Sequence, residues 1–388
     1  MHTHRFAVLL LIAGTVVTTA APATARPAPA QPLAVPAPEW DALFDRETGW
    51  TGADGIYSIP LSGDERPGTA TGGLTFWTFS DTFVGRVNAD GGRLPGSTLV
   101  NNTMAVQRGG APDPARIKFV VNSDAAGRPV AQVEPAEPGR WFWPNDGIVV
   151  DGQLYLYSLR MKRGGDPVFN FETDGVSLLS TSASSPPPFE TYTEVDTPLY
   201  LPASGDEGDL TFGLGVMPNT VRAGAPAPDG YLYVYGVRND PNKKLLVSRV
   251  RPGQIEDFSA YRFWDGTDWS PSITAAVPVT SRVSSEFSVT PLADGRYILV
   301  FQRDTLSDKV AVRYGASPVG PWSAPEVIYT APEAGLTPNT YTYNAKAHPH
   351  LSRPGELLIS YNVNSFDFFE HFDNADIYRP RFIRLPLD

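Results

Sequence analysis

The sequence predicts an all-β fold, a five-bladed β-propeller, and three observations support this prediction. Five stretches share one plan, in which a polar residue precedes a strand, a Gly-containing turn follows, and a second strand rich in aromatic and β-branched residues returns. These stretches lie roughly 50 to 70 residues apart, which is the spacing of four-stranded blades. No long segment has helical periodicity, and Pro and Gly punctuate the whole chain. A large two-sheet sandwich would also give many short strands, but the regular hairpin period favours the propeller.

The five predicted hairpins follow one another along the chain. In order they are "DGIYSIPL" with "LTFWTFSDTF", "NDGIVVDGQLYLYSLRM", "NTVRAGAPAPDGYLYVYGVRND", "EFSVTPLADGRYILVFQRDT" and "HPHLSRPGELLISYNVNS". Outer strands are visible after the third and fourth hairpins, as "KKLLVSRVRPG" and "KVAVRYGASPVGPW".

The N-terminal segment predicts secretion. Residues 1–25 combine an apolar run from Phe6 to about Val17 with the small-x-small triplet Ala23-Thr24-Ala25, which is typical of a signal peptide and too short for a membrane span. Residues 26–38, "RPAPAQPLAVPAP", are expected to form an extended Pro/Ala-rich arm. Residues 39–388 are then expected to form a single propeller domain of a secreted, extracellular protein.

Composition narrows the class of partner. The formal net charge of −11 and the lack of a Lys/Arg cluster argue against nucleic acid, because phosphate binding needs a basic face. The chain contains no cysteine, so a secreted form is held by its core alone, and 41% hydrophobic residues are enough for a large core. We expect a monomer without a membrane span, with a polysaccharide or oligosaccharide as its partner.

The polar residues that flank the hairpins are predicted to share one rim. In an antiparallel hairpin the start of the first strand lies beside the end of the second. In hairpin order, the rim would collect Asp54 and Asp81, Asp146 and Arg160, Asn219 and Arg238, Glu286 and Arg303, and finally His348, His350 and Asn362.

This set of side chains suits glycoside hydrolysis, which needs one protonated and one ionised carboxyl group. The candidate catalytic residues are Asp54, Asp81, Asp146 and Glu286. Asp81 lies among Phe79, Phe83 and Trp77, so we assign it the raised pKa and the acid role, with Asp54 as base or nucleophile. The candidate substrate-binding residues are Asn102, Trp143, Asn145, Arg160, Asn219, Arg238, Arg303, His348 and Asn362.

Simpler interpretations compete for several of these residues. Asp54 precedes Gly55 and suits a turn, although its pairing with Asp81 favours a site. The three arginines Arg160, Arg238 and Arg303 would serve equally to neutralise the acids. The triplet "HPH" has no third ligand at a spacing typical of zinc.

Two resemblances refine the prediction. "GWTGADGIYSIPL", "LTFWTFSDTFVG" and "NNTMAV" resemble the N-terminal signature of secreted actinobacterial proteins long filed as domains of unknown function, some of which are endo-D-arabinanases. This resemblance covers roughly the first sixth of the mature chain and implies that Asp54 in "GADG" and Asp81 in "FSDT" are catalytic. Ala53 and Ser80 stand where that family usually has glycine.

The second resemblance is broader and concerns the whole hairpin plan. It is similar to the propeller glycosidases that include arabinanases, xylosidases and invertases, which implies Asp54, Asp146 and Glu286 as the site. Some of these enzymes use a last-blade histidine to hold calcium or water on the axis. The resemblance therefore implies His348 and His350 as metal ligands and Ca²⁺ as the one cofactor to test for.

The predicted function is that of a secreted glycoside hydrolase acting on a furanose-rich polysaccharide such as arabinan. Two alternatives remain open at this point. One is a non-catalytic propeller that binds carbohydrate through the same rim. The other is a sialidase-like hydrolase of acidic sugars, in which the three arginines clasp a substrate carboxylate.

Overall fold

The computed structural model describes residues 34–165, 170–184, 189–204 and 207–387. The predicted signal peptide (1–25) and most of the predicted arm lie outside the described residues. Within them the fold is mostly β-strand, with two short α-helices, α1 (Pro38–Phe44) and α2 (Glu370–Asp373). Single turns of 3₁₀-helix span Thr69–Gly72, Pro114–Arg116, Pro252–Gln254, Phe258–Ala260, Ile273–Ala275, Pro332–Gly335 and Pro349–Leu351. No helix in the described part of the chain is long and apolar enough to cross a membrane.

Five antiparallel sheets of four or more strands form the body of the protein, and we number them in chain order. Sheet one contains β3 (Tyr57–Pro60), β4 (Leu74–Phe79), β7 (Thr103–Arg108) and β8 (Ile117–Val120). Sheet two contains β11 (Trp141–Val150), β12 (Gln153–Lys162), β13 (Glu172–Ser182) and β14 (Thr193–Asp196). Sheet four contains β22 (Phe287–Pro291), β23 (Tyr297–Gln302), β24 (Lys309–Gly315) and β25 (Glu326–Thr330).

Sheets three and five differ from this simple order. Sheet three contains β15 (Tyr200–Leu201), β16 (Leu210–Asn219), β17 (Tyr231–Arg238), β18 (Lys244–Val250), β19 (Arg262–Trp264) and β20 (Trp269–Ser270), and β21 (Thr280–Ser281) pairs with β18. Sheet five contains β26 (Thr340–Ala347), β27 (Glu356–Ser365), β28 (Arg381–Pro386) and β1 (Val35–Pro36). Two smaller sheets consist of β2 (Thr48–Ala53), β5 (Thr82–Arg86) and β6 (Thr98–Val100), and of β9 (Asn122–Ser123) and β10 (Pro129–Val130).

Sheet five joins the two ends of the folded unit. Its outer strand β1 pairs with β28, with Val35 opposite Arg384, so a segment from the start of the fold completes the last sheet. The end of the predicted 26–38 arm is thus part of this sheet, and helix α1 begins at Pro38, before the predicted domain start at residue 39.

The strands form where the sequence combines aromatic residues with Leu, Ile and Val, as in "YLYVYGVR" (β17) and "YILVFQ" (β23). The turn between β11 and β12 has the chemistry that a two-residue hairpin needs. Asp151 and Gly152 both have positive φ, 49° and 81°, and Val150 pairs with Gln153 across them. The predicted Asp-Gly turn is therefore present.

Each pair of neighbouring sheets shares an apolar core. Phe76 and Leu156 lie in the core between sheets one and two, and Tyr157 and Phe212 lie in the next one. Equivalent cores join sheets three and four and sheets four and five. A further core, which contains Trp77, joins helix α1 to sheets one and five. Burial of these large side chains is the main force that holds the sheets together.

In each main sheet we call the strand that begins the hairpin the first strand. These first strands contact one another in series, in the order β3, β11, β16, β22 and β26. The first and fifth sheets share the core around Trp77, and Lys346 Nζ of β26 donates to the carbonyl of Gly55, just before β3, at 2.8 Å. Three of these five strands carry a β-bulge, at Asn145-Asp146, Gly213-Leu214 and Asn344-Ala345. Bulges re-aim side chains and are common beside functional sites.

The structure corrects two strand assignments. In sheet three the strand that pairs with β17 to form the hairpin is β16, which ends at Asn219, and in sheet five the strand that pairs with β27 is β26, which precedes "HPH". Asn219 and His348 therefore lie at the turn end of their hairpins, opposite the rim where they were predicted. The connections 220–230 and 348–355 are long, and each contains residues that suit the start of a strand. Sequence alone therefore places the first strand of each hairpin too late in the chain.

Candidate functional site

A pocket of about 410 Å³ opens at one end of the sheets. It collects residues from sequence-distant strands and loops, which is typical of a ligand site. Its polar lining includes Asp54, Ser80, Asp81, Asn145, Glu172, Asn239, Lys243, Ser285, Glu286, Asn344 and Asn364, and its aromatic lining is Trp143, Phe171, Tyr341, Tyr343 and Tyr378.

Asp54 and Asp81 are held side by side because the chain changes sheets at both residues. Asp54 lies between β2 and β3, and Asp81 lies between β4 and β5. The Asp54 N–H donates to the Asp81 carbonyl at 3.3 Å, and the Ser80 N–H donates to the Asp54 carbonyl at 2.9 Å. Gly55 makes this crossing possible, since its φ is +83° and a Cβ there would lie 2.7 Å from the Ser80 nitrogen.

The two carboxyl oxygens of Asp54 have different surroundings. Oδ2 accepts hydrogen bonds from the hydroxyl groups of Tyr343, at 2.6 Å, and Tyr378, at 2.9 Å. Oδ1 is buried and has no hydrogen-bond partner among the described residues. Burial raises the pKa of Asp54 above its usual value, and the two tyrosine hydroxyls oppose that rise by stabilising the carboxylate.

Asp81 is the neighbouring acid. Its Oδ1 accepts from the Trp143 indole N–H at 2.9 Å and from Asn101 Nδ2 at 3.2 Å. Burial raises the pKa of Asp81 to about 7, and the negative charge of Asp54 adds to the rise. One protonated and one ionised carboxyl group can therefore coexist here near neutral pH.

Glu286 is the third acid that lines the pocket, and a buried lysine neutralises it. Lys346 Nζ lies 2.6 Å from Glu286 Oε2, and Asn344 Nδ2 donates to Oε1 at 2.7 Å. Burial raises the pKa of Glu286 to about 7, although Lys346 opposes the rise. The bulge in β26 brings Asn344 and Lys346 to this carboxylate.

A hydrogen-bonded chain continues behind Asp54. The Tyr343 hydroxyl accepts from Asn364 Nδ2 at 3.0 Å, and Asn364 Oδ1 lies 2.8 Å from His371 Nε2. This chain fixes Tyr343 against Asp54 and ties the carboxylate to the segment that contains α2.

Asp146 is not part of this pocket. Its bulge directs the carboxylate between strands, where it accepts from the Gly147 N–H at 2.9 Å and from the Val216 N–H at 2.7 Å. It lines a separate small cavity of about 50 Å³ together with Glu65. Burial raises the pKa of Asp146 to about 7, and the Glu65 charge adds to the rise. The predicted placement of Asp146 beside Asp54 and Asp81 is therefore corrected.

The histidines do not fit a calcium site. His348 Nδ1 lies 2.7 Å from Ser58 Oγ, and its Nε2 lies 2.8 Å from Ser360 Oγ, so hydroxyl groups occupy both ring nitrogens. His350 is buried with Nδ1 3.6 Å from Glu65. The described residues contain no group of three or more His, Cys, Asp or Glu side chains able to hold a metal ion. Calcium also prefers oxygen ligands.

The three predicted arginines are paired outside the pocket. Arg160 lies 2.8 Å from Asp196, and Arg238 lies 2.6 Å from Glu207. Arg303 lies 3.5 Å from Asp304. None of the three lines the pocket, which agrees with the simpler interpretation that they neutralise acids.

Of the five remaining predicted residues, two reach the pocket. Trp143 and Asn145 line it. Asn102 is fully buried and hydrogen-bonds to the backbone of Val133 and Phe142. These bonds fasten a loop to β11. Asn219 and Asn362 lie elsewhere: Asn219 binds Asp229 in its turn, and Asn362 is buried in β27.

The sequence reasoning missed Tyr343, Asn344, Lys346, Asn364 and Tyr378. One signal was available, because "TYTYNAKA" places a lysine in a strand of otherwise small and aromatic residues, and a lysine is seldom buried without a partner. Nothing local marks Tyr378, which meets Asp54 across 324 positions of sequence.

Comparison with solved structures identifies a similar fold. A protein from Bacteroides ovatus ATCC 8483, described as an inferred hydrolase, superposes with a TM-score of 0.71 at 20% identity, covering 90% of this chain and 89% of its own. Two weaker likenesses are a GH43_1 enzyme from Xanthomonas citri (TM-score 0.45, 15% identity, 92% of both chains) and an endo-arabinase from Bacteroides thetaiotaomicron VPI-5482 (TM-score 0.42, 14% identity, 85% and 96%). Both are too distant to carry an argument about function.

No functionally curated protein matches the sequence. A family model described as "Domain of unknown function (DUF5005)" matches residues 38–386, which include every strand of the five main sheets except β1. The chain therefore belongs to the DUF5005 family.

Proposed function

We propose that the protein is a glycoside hydrolase that acts on a furanose-rich polysaccharide such as arabinan. One observation carries the proposal: Asp54 and Asp81, two partly buried carboxyl groups held by different hydrogen-bond donors, line the same pocket. Glycoside hydrolysis needs such a pair, one protonated and one ionised. The furanose part of the proposal rests on the resemblance of "GADG" and "FSDT" to the endo-D-arabinanase signature.

The surroundings of the two carboxyl groups assign their roles. Protonated Asp81 donates its proton to the glycosidic oxygen while the bond from that oxygen to the anomeric carbon breaks, and the bonding electrons stay on the oxygen. Ionised Asp54, held by two tyrosine hydroxyls, deprotonates the attacking water or attacks the anomeric carbon itself. Oδ1 of Asp54 accepts no hydrogen bond from the described residues.

Glu286 supplies a further negative charge on the wall of the pocket. Because Lys346 and Asn344 hold its carboxylate, it suits stabilisation of a positive, oxocarbenium-like transition state and hydrogen bonding to sugar hydroxyls.

The pocket favours a neutral sugar over an acidic one. Among the described residues, four acids line it, Asp54, Asp81, Glu172 and Glu286, together with one lysine, Lys243. A substrate carboxylate would be repelled by this charge, and the arginines that a sialidase-like site would need are paired elsewhere.

We also propose that the five main sheets are the blades of a five-bladed propeller, secreted by the predicted signal peptide. The serial contacts of the first strands, the bond from Lys346 to Gly55 and the core shared by sheets one and five support this architecture.

The test is reducing-end release by the mature protein from arabinan, xylan, fructan and sialoside substrates. We expect release from a furanose polymer. A protein that binds arabinan without cleaving it would instead be the carbohydrate-binding alternative, and cleavage confined to sialosides would reject the proposal.

A further inference from the structure

Three exposed phenylalanines lie in one short loop that follows β27. Phe366, Phe368 and Phe369 are 56%, 49% and 75% exposed. Exposed apolar side chains are unremarkable singly, but a group of them at one place indicates a binding surface. We call the loop 366–369 the aromatic loop.

The aromatic loop is held in this open position by the residues around it. The Glu370 carboxylate accepts hydrogen bonds from Ser365 Oγ at 2.6 Å, Thr337 Oγ1 at 2.8 Å and Asn339 Nδ2 at 3.0 Å. The Phe366 N–H donates to the Asn339 carbonyl at 3.1 Å. Phe368 packs inward, 6.0 Å from the Phe83 ring, which leaves Phe366 and Phe369 as the outward residues.

The aromatic loop is continuous with the pocket. The Phe366 ring centroid lies 4.4 Å from that of Tyr341, which lines the pocket. Tyr341 in turn lies 5.5 Å from Tyr343, the residue that binds Asp54. A row of rings therefore leads from the carboxylate to the protein surface.

The charge around the loop restricts what it can bind. Residues 366–374, "FDFFEHFDN", contain three acids and no lysine or arginine. An anionic membrane surface, a nucleic acid or an acidic polysaccharide would be repelled. The apolar faces of neutral sugar rings stack on such aromatic surfaces, and a neutral glycan is the class that the pocket itself favours.

We propose that Phe366 and Phe369 form an outer subsite that binds a further sugar of the same neutral polysaccharide whose glycosidic bond lies in the pocket. The proposal rests on the proposed function, because it treats the pocket as the place where the chain is cleaved. It predicts that the protein prefers long chains to short ones.

The test compares wild type, F366A/F369A, the ring-preserving F366W and the control V221A, which truncates an 80% exposed residue beyond the turn end of sheet three. Each is assayed on D-arabinan and on 4-nitrophenyl α-D-arabinofuranoside, whose single sugar can occupy the pocket without reaching the aromatic loop. Native gels that contain arabinan, xylan or fructan measure binding.

We expect F366A/F369A to raise KM for arabinan about tenfold, a loss of the size that ring stacking provides. We expect its activity on the short substrate to be unchanged, with F366W and V221A like wild type.

The two proposals fail in different ways. If F366A/F369A cleaves arabinan with the wild-type KM, the outer subsite is wrong and the hydrolase stands. If the wild type is retarded in a glycan gel without cleaving any substrate, the hydrolase is wrong, and loss of retardation in F366A/F369A still supports the subsite. Equal retardation of both proteins, or of neither, overturns the subsite.

Discussion

The backbone N–H of Asp54, just before β3, donates a hydrogen bond at 3.3 Å to the carbonyl of Asp81, just after β4, although the long turn 61–73 separates these two strands. This contact places two partly buried carboxyl groups beside each other in one pocket. Their proximity is costly to the fold because each disfavours the charge of the other. Such a cost is expected where the pair has a function.

Stability should fall as the pH rises from about 4 to about 7. Burial raises the pKa values of Asp81, Asp146 and Glu286 to about 7, whereas unfolded carboxyl groups titrate near pH 4. Between these values the folded state holds more protons than the unfolded state, so deprotonation favours unfolding.

Melting temperatures measured from pH 5 to 8.5 test this decline in stability. Asp81→Asn should flatten the decline and raise the melting temperature at pH 8, unlike Asp90→Asn at an exposed site. A steeper decline in Asp81→Asn would contradict the burial of its charge.

Tyr343→Phe should move the acidic limb of the pH–activity profile upward. The hydroxyl of Tyr343 stabilises ionised Asp54, so its removal raises the pKa of that carboxyl group further. The measurement is kcat/KM against pH on arabinan. Tyr341→Phe is the matched control, because Tyr341 lines the pocket without a hydrogen bond to Asp54. An unmoved limb in Tyr343→Phe would show that Asp54 is not the titrating base.

Lys346→Met should destabilise the protein strongly. Lys346 is 1% exposed and neutralises Glu286, so its loss leaves a buried carboxylate without its partner and costs about 3 to 5 kcal/mol. Urea denaturation at pH 7.5 measures the loss. Adding Glu286→Gln should restore much of the stability, since the uncompensated charge disappears. Additive losses in the double variant would mean that the two side chains do not interact.

Excess chelator should leave the melting temperature unchanged. The hydroxyl groups of Ser58 and Ser360 already occupy both ring nitrogens of His348. An ion bound only by the folded state would stabilise it by mass action, so its removal would lower the melting temperature. Thermal melts with and without EDTA, followed by readdition of calcium, make the comparison. A drop that calcium reverses would restore the calcium site that the resemblance implies.

The sequence predicted those features that depend on short-range chemistry. The Asp151-Gly152 turn follows from the need for positive φ at both positions. The pairing of Asp54 with Asp81 follows from the geometry of a hairpin, whatever the length of its turn. Trp143 and Asn145 lie in the first half of β11, the strand that ends at the Asp-Gly turn. They therefore lie away from the turn, at the end of the hairpin where the pocket opens.

The remaining site residues could not be predicted because bulges and long-range contacts place them. A bulge turns Asp146 away from the pocket and another turns Asn344 into it, and no local pattern marks either. Lys346 meets Gly55 across 291 positions of sequence. His348 was misplaced because a strand before "HPH", not after it, is the first strand of sheet five.

The central claim is that Asp54 and Asp81 are the base and the acid. It is tested most directly by kcat/KM on arabinan for Asp54→Asn, Asp81→Asn and Asp146→Asn, with folding checked by circular dichroism. The account predicts that Asp54→Asn and Asp81→Asn each lose several orders of magnitude, since each keeps the shape of the side chain and removes its proton chemistry. Asp146→Asn should retain most of the activity because its carboxylate lies outside the pocket. Near-wild-type hydrolysis by Asp54→Asn and Asp81→Asn, with none by Asp146→Asn, would contradict the account.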